Sequence, residues 1–152
     1  MAHKKNIILI FGGGGAEHAV SKKSSEYLYL QLQKMDNVST LVLELTHNKC
    51  FLDEKKQEWF WAKRTISNHA ENRSVDYVIP CIHGYPGETG DLQSFLELLA
   101  IPYLGCGPEE SKLCFNKIST KLWLSAIGIK VSPFCYLTQQ NTPSLEKAFN
   151  FY

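Results

Sequence analysis

Five apolar side chains in a row, Ile7 to Phe11 in "NIILIFGGGG", are stopped by four glycines. A continuous apolar run ended by a turn signal predicts a strand covered on both faces, as in a parallel sheet. From Glu17 to Lys34 the period lengthens. Val20, Ser24, Tyr27, Leu28 and Leu32 recur on one stripe and predict an amphipathic helix. "STLVLEL" (Ser39–Leu45) predicts a second strand. Strand, glycine turn, helix and strand make a βαβ unit with a right-handed crossover.

The pattern then changes. In "HNKCFLDEKKQEWFWAKR" two short aromatic-rich runs flank the polar "DEKKQ", which predicts a surface hairpin, and "ISNHAENRS" predicts a polar loop. "VDYVIPCIHG" predicts another buried strand, interrupted at Pro80, which cannot donate to a ladder. A short helix, "DLQSFLELLA", and an extended piece, "IPYLGCG", follow. "PEESKLCFNKISTKLWLSAIG" predicts helix in two parts, stopped at Gly128. "IKVSPFCYLT" reads as a strand, and "TPSLEKAFNFY" as the start of a helix with proline in its first turn.

Composition narrows the partners. The chain has 152 residues, 44% hydrophobic and 20% charged, with net charge +1. That balance points away from nucleic acid and anionic membranes. The pairs Lys22–Lys23 and Lys55–Lys56 read as solvated faces. No segment is long and apolar enough to cross a bilayer. Five cysteines, with no Cys-x-x-Cys spacing, argue against a disulfide framework or zinc site and for a reducing cytosol. Cys81 and Cys135, in apolar runs, read as small core residues.

The glycine loop fails both common phosphate motifs. A Gly-x-Gly-x-x-Gly pattern begun at Gly12 ends on Glu17, and one begun at Gly13 ends on His18; no lysine follows until Lys22. Glu17 falls in the first helical turn, where the dipole favours its ionised form by roughly 0.3–1 kcal/mol. A carboxylate there repels phosphate and suits an ammonium group. The residues alone leave two readings open: an amine-binding loop, or a glutamate that only complements the dipole. The second loop, "CIHGYPGETGDLQ" (Cys81–Gln93), also leaves a strand's carboxyl end, so both loops can face one crevice. His83 and Glu88 then join Glu17.

Three elements in order carry a family resemblance: "FGGGGAEHAVS", "IHGYPGETGDLQSFLELLAIPYLGCG" and "SKLCFNKISTKLWLSAIGIKVSPF". Over Ile7–Phe134 the chain resembles the N-terminal part of the D-alanine–D-alanine ligases, ATP-grasp enzymes of peptidoglycan synthesis. The resemblance implies a Rossmann-like parallel sheet flanked by helices, the pre-ATP-grasp substrate domain, over residues 1–105. The beginning of an ATP-grasp domain is implied over 106–152. It makes Glu17 the residue that orients the first D-alanine through its amino group. It places His83 near the same subsite and Glu88 as the acid supporting that histidine, while Ser21 acts locally from the first helix. Lys117 is directed at nucleotide phosphates.

Departures are Gly15 in place of serine, Thr89 in place of aspartate, and Asn116 in place of aspartate. The first loosens the glycine loop and the others remove charge. The cofactors implied are ATP and magnesium, with the metal ligands outside this chain. The substrate implied is D-alanine, the compartment the cytoplasm, and a homodimer is a candidate assembly. The family's chain continues well past residue 152, so a fragment, a cleaved product or a truncated gene is expected, inactive on its own. The alternatives are a non-catalytic remnant or binding module of the same fold, and a ligase for another amino or hydroxy acid.

Overall fold

The computed structural model describes residues 4–134. Two compact units divide the chain, one of residues 1–115 and one of residues 116–152.

The first unit is built on a seven-stranded sheet of order β6-β5-β4-β3-β2-β1-β7. Its centre is the predicted βαβ unit. Strand β1 (Lys5–Gly12) lies parallel to β2 (Val38–Leu45), and α1 (His18–Leu32) makes the crossover. On the other side of β1 lies the parallel strand β7 (Tyr77–Pro80). Ile8, Leu9 and Ile10 are almost wholly buried, which is why that run carries no polar alternation. One face is closed by α2 (Asp91–Leu98), whose Leu92 and Leu96 pack with Ile8, Ile10, Leu43 and Leu45. Pro80 is tolerated because β7 ends there, and the next amide, Cys81 N–H, still donates to Ile10 O at 2.7 Å. The extended piece Ile101–Gly107 adds one parallel bridge, Tyr103 to Val78.

Three expectations are corrected. The meander is longer than one hairpin. After β3 (Phe51–Leu52) and β4 (Glu58–Ala62), the segment expected as polar loop contributes β5 (Thr65–Ser67) and β6 (Asn72–Ser74), all antiparallel. A strand of three residues shows no readable period, yet Ile66 is fully buried and fixes β5. The second correction concerns α1. The predicted stripe turns inward only in part: Ser24, Leu28 and Leu32 are half-buried beside the buried Ser21 and Ser25, while Val20 and Tyr27 are exposed. Small serines let the helix approach the sheet closely, and Gly12 N–H donates to Ser21 Oγ at 2.8 Å. A larger side chain at 21 would lose both the approach and the bond.

The predicted two-part helix is α3 (Pro108–Phe115), in the first unit, and α4 (Lys117–Ala126), in the second. Asn116 caps α4, its side chain accepting from Ser119 N–H at 3.0 Å. The far end closes with Gly128 N–H on Ser125 O and Ile129 N–H on Leu124 O, a paired C-terminal motif. The strand expected over "IKVSPFCYLT" is absent from Ile129–Phe134, where Lys121 Nζ instead donates to Ser132 Oγ at 2.8 Å. The rest of that strand, Cys135 and the last expected helix lie outside the described residues.

Candidate functional site

Three loops meet at the carboxyl ends of the parallel strands: Gly13–Glu17 after β1, Thr46–Cys50 after β2, and Cys81–Gly90 after β7. Such ends are where open α/β sheets hold ligands. The approach is tight at Gly13, whose φ is +87°; a Cβ there would sit 2.8 Å from Tyr85 O and 3.0 Å from the Ile82 side chain. Only glycine takes that conformation without strain and leaves that space. Gly14 lies as close to the β2 loop, with a would-be Cβ 3.0 Å from His47 Cα.

Glu17 is the N-cap residue of α1, and its side chain makes no capping hydrogen bond. Its Oε2 instead lies 3.3 Å from the point a Cβ on Gly84 would occupy. Glu17 thus reaches across to the backbone next to His83. The His83 ring is held on both edges. Nε2 is 3.3 Å from Ser24 Oγ, and Nδ1 is 3.8 Å from Glu88 Oε1. Glu88 also closes its own loop: its Oε2 accepts from Gly84 N–H at 3.0 Å, and its N–H donates to Gly84 O at 2.8 Å. From beneath, buried Gln93 on α2 donates to Gly87 O at 2.5 Å. At the mouth, Lys49 Nζ stands 4.3 Å from the Tyr85 ring centroid, a cation–π contact between the β2 and β7 loops.

Glu17, His83 and Glu88 therefore share one crevice. Ser21 serves it from behind, since its buried hydroxyl is taken by Gly12 N–H. Lys117 opens α4 in the second unit. Three participants were not read from the sequence. Ser24 falls at i+7 from Glu17 and i+3 from Ser21, a helical spacing that carries the signal. Lys49 and Tyr85 carried none, because nothing in either segment marks a contact between loops.

The departures have visible surroundings. Gly15 has open space at its Cβ position. Thr89 Oγ1 is bonded to Asp91 Oδ2, so the threonine ties the loop to the start of α2. Asn116 is the cap of α4. Among the described residues no group of three or more His, Cys, Asp or Glu side chains could hold a metal ion. A separate groove of about 610 Å³ runs between another flank of α1 and the meander, lined by residues including Lys22, Glu26, Glu44, Asp53, Lys56 and Arg73. It contains none of the crevice residues, and its charges are of both signs.

A parallel α/β core with glycine-rich loops at its strand ends, and a carboxylate facing a histidine between them, defines an α/β domain with a candidate small-molecule site at those ends. Residues 6–106 match the family pattern described as D-ala D-ala ligase N-terminus, and the chain belongs to that family. It is 50% identical over 143 residues to the D-alanine–D-alanine ligase of Aeromonas salmonicida, a match covering 94% of this chain and 44% of that one. Among solved structures, the D-alanine–D-alanine ligase of Aeromonas hydrophila is 50% identical with a TM-score of 0.86, covering 95% of this chain and 55% of that one. The D-alanyl-alanine synthetase A of Vibrio cholerae is 40% identical with a TM-score of 0.88, covering 97% and 45%. The chain thus spans about half the length of the relatives it matches.

Proposed function

We propose that this chain is the substrate-domain portion of a cytoplasmic, ATP-dependent D-alanine–D-alanine ligase for peptidoglycan synthesis, working as a homodimer. The observation that carries the reading is the Glu17 carboxylate set against the His83–Gly84 backbone in one crevice. A zwitterionic amino acid fits such a site. Its ammonium group pairs with Glu17, and its carboxylate end lies toward His83, whose ring is oriented by Ser24 and Glu88. The glycine backbone leaves room for a ligand only a few atoms long.

ATP, when bound, supplies the phosphoryl group that activates one D-alanine carboxylate for attack by the amine of a second. Holding the first D-alanine immobile is this chain's share, because phosphoryl and acyl transfer depend on positioning and charge neutralisation. Lys117 fits the nucleotide as a cation in the first turn of α4, where free backbone N–H groups also favour phosphate. One lysine does not grip a triphosphate alone. By the family resemblance, magnesium when bound would be held by ligands other than the residues of this crevice.

The test is a D-alanine titration of the chain followed by backbone NMR. Shifts are expected at Gly13–Glu17 and His83–Glu88 and nowhere on the meander. In an enzyme carrying this segment, Glu17→Gln should raise KM for the first D-alanine about 10- to 100-fold, the worth of one hydrogen bond to a charged group, with KM for ATP unchanged. A change confined to ATP would refute the assignment.

A further inference from the structure

Three loops rim the crevice, and each touches the other two. The β1 loop meets the β7 loop where a Cβ on Gly13 would stand 2.8 Å from Tyr85 O, and the β2 loop where one on Gly14 would stand 3.0 Å from His47 Cα. Both are close backbone contacts, made by glycines at positive φ. The contact between the β2 and β7 loops is of another kind. Lys49 Nζ lies 4.3 Å from the centroid of the Tyr85 ring, and both residues are exposed. A cation–π contact between exposed groups is weak enough to break and re-form.

The turn that carries Lys49 is tightly closed. Thr46 N–H donates to Cys50 O at 2.9 Å, Lys49 N–H to Thr46 O at 3.1 Å, and Cys50 N–H to Thr46 Oγ1 at 3.1 Å. Lys49 has φ +65°, a left-handed conformation that glycine and asparagine take more easily than lysine. The shape of the turn therefore does not call for lysine; the reach of its side chain to Tyr85 does. Lys56 has a similar conformation, φ +60°, but its ammonium lies in the separate groove, on Glu44 at 2.8 Å. Tyr85 stands two residues past His83, in the loop that Glu88 closes onto Gly84. We propose that Lys49 is a positioning residue for the crevice: by latching onto Tyr85 it closes the ring of loops and sets the His83–Glu88 loop for an amino-acid ligand. The proposal rests on the D-alanine reading above and adds a residue to it. Lys49 acts through Tyr85 and the loop behind it. Neither side chain belongs to the hydrophobic cluster, so breaking the latch costs binding and not folding.

The test uses this chain with and without D-alanine. Lys49→Asn keeps the backbone of the turn and removes the cation; Tyr85→Leu removes the ring. Each should weaken D-alanine binding about two- to fivefold, the worth of one exposed cation–π contact, with the urea midpoint unchanged. Lys49→Arg and Tyr85→Phe preserve the contact and should bind as the unaltered chain does. The double variant Lys49→Asn/Tyr85→Leu should bind no more weakly than either single variant. Without ligand, NMR amide spectra give an independent reading: Lys49→Asn should move the amides of residues 83–88, and Tyr85→Leu those of residues 46–50. Unchanged D-alanine affinity in Lys49→Asn, additive losses in the double variant, or spectral changes confined to the mutated loop would each overturn the latch. If the unaltered chain binds no D-alanine, the substrate reading fails, and the ligand-free spectra alone decide for or against the latch.

Discussion

Gly15 and Gly13 sit two residues apart and answer to different constraints. Gly13 is held at positive φ against Tyr85 O, while Gly15 has ordinary backbone and open space at its Cβ position. Gly15→Ser, which restores the residue the family usually carries, should therefore leave stability unchanged or raise it by about 0.4–1 kcal/mol, since it restricts only the unfolded chain. Gly13→Ala should cost more than that and displace the Tyr85 loop. Urea unfolding of the two variants measures both; equal effects would mean the loop is not packed as described. Cysteine chemistry tests burial at the same scale. Burial pushes the Cys81 thiol up to about 11, and Cys106 is exposed. The thiolate is the reactive form, so a thiol reagent near pH 8 should label Cys106 early and Cys81 only as the protein unfolds. Prompt labelling of Cys81 would contradict its burial at the end of β7.

At the scale of elements, the β3–β4 turn is organised by one carboxylate. Asp53 Oδ1 accepts from Lys55 N–H and Gln57 N–H, both at 2.9 Å, and Oδ2 from Trp59 Nε1 at 3.1 Å. Burial pushes its pKa up, but these hydrogen bonds together hold it below the ordinary carboxylate value. A lowered folded pKa means stability that is present above the unfolded value of about 3.9 and lost as pH falls through the folded one. Trp59 emission should therefore show the hairpin loosening below pH 4, and Asp53→Asn should flatten that dependence. At the other end, Asn116→Ala should cost α4 about 1 kcal/mol of its cap while Asn116→Asp keeps it, read as helical circular dichroism. The parallel strands and helix stops were legible because runs such as Ile7–Phe11 and signals such as Gly128 act locally. The facing of α1 was legible only at Ser24, Leu28 and Leu32, because close packing through Ser21 and Ser25 is a property of the pair of elements and leaves Val20 and Tyr27 outside. β5 and β6 were illegible for want of length. The crevice was legible as far as Glu17, His83 and Glu88, all carried on glycine-rich loops, and illegible at Lys49, whose partner is 36 residues away.

For the whole molecule, the decisive feature is where the core lies. Every buried member of the main hydrophobic cluster falls between Ile8 and Ile101, and α4 contributes no buried residue. Burial is what holds a domain together, and a unit of about 115 residues can bury enough to fold alone. A chain ended after Phe115 should accordingly keep one cooperative unfolding transition, with a midpoint close to that of the full chain. Hydrogen exchange should find the slowest amides in β1 and β2, which are paired on both sides, and fast amides throughout α4. Leu96 supplies the internal control. It is fully buried where α2 meets the sheet, so Leu96→Ala should cost about 2–5 kcal/mol, a large share of a typical 5–15 kcal/mol stability. That loss should slow or abolish D-alanine binding only through unfolding, and should fall equally on the full and the shortened chain. If shortening alone unfolds the sheet, or if the Leu96→Ala penalty differs between the two chains by more than about 0.5 kcal/mol, residues beyond 115 share the core and the first unit is not self-sufficient.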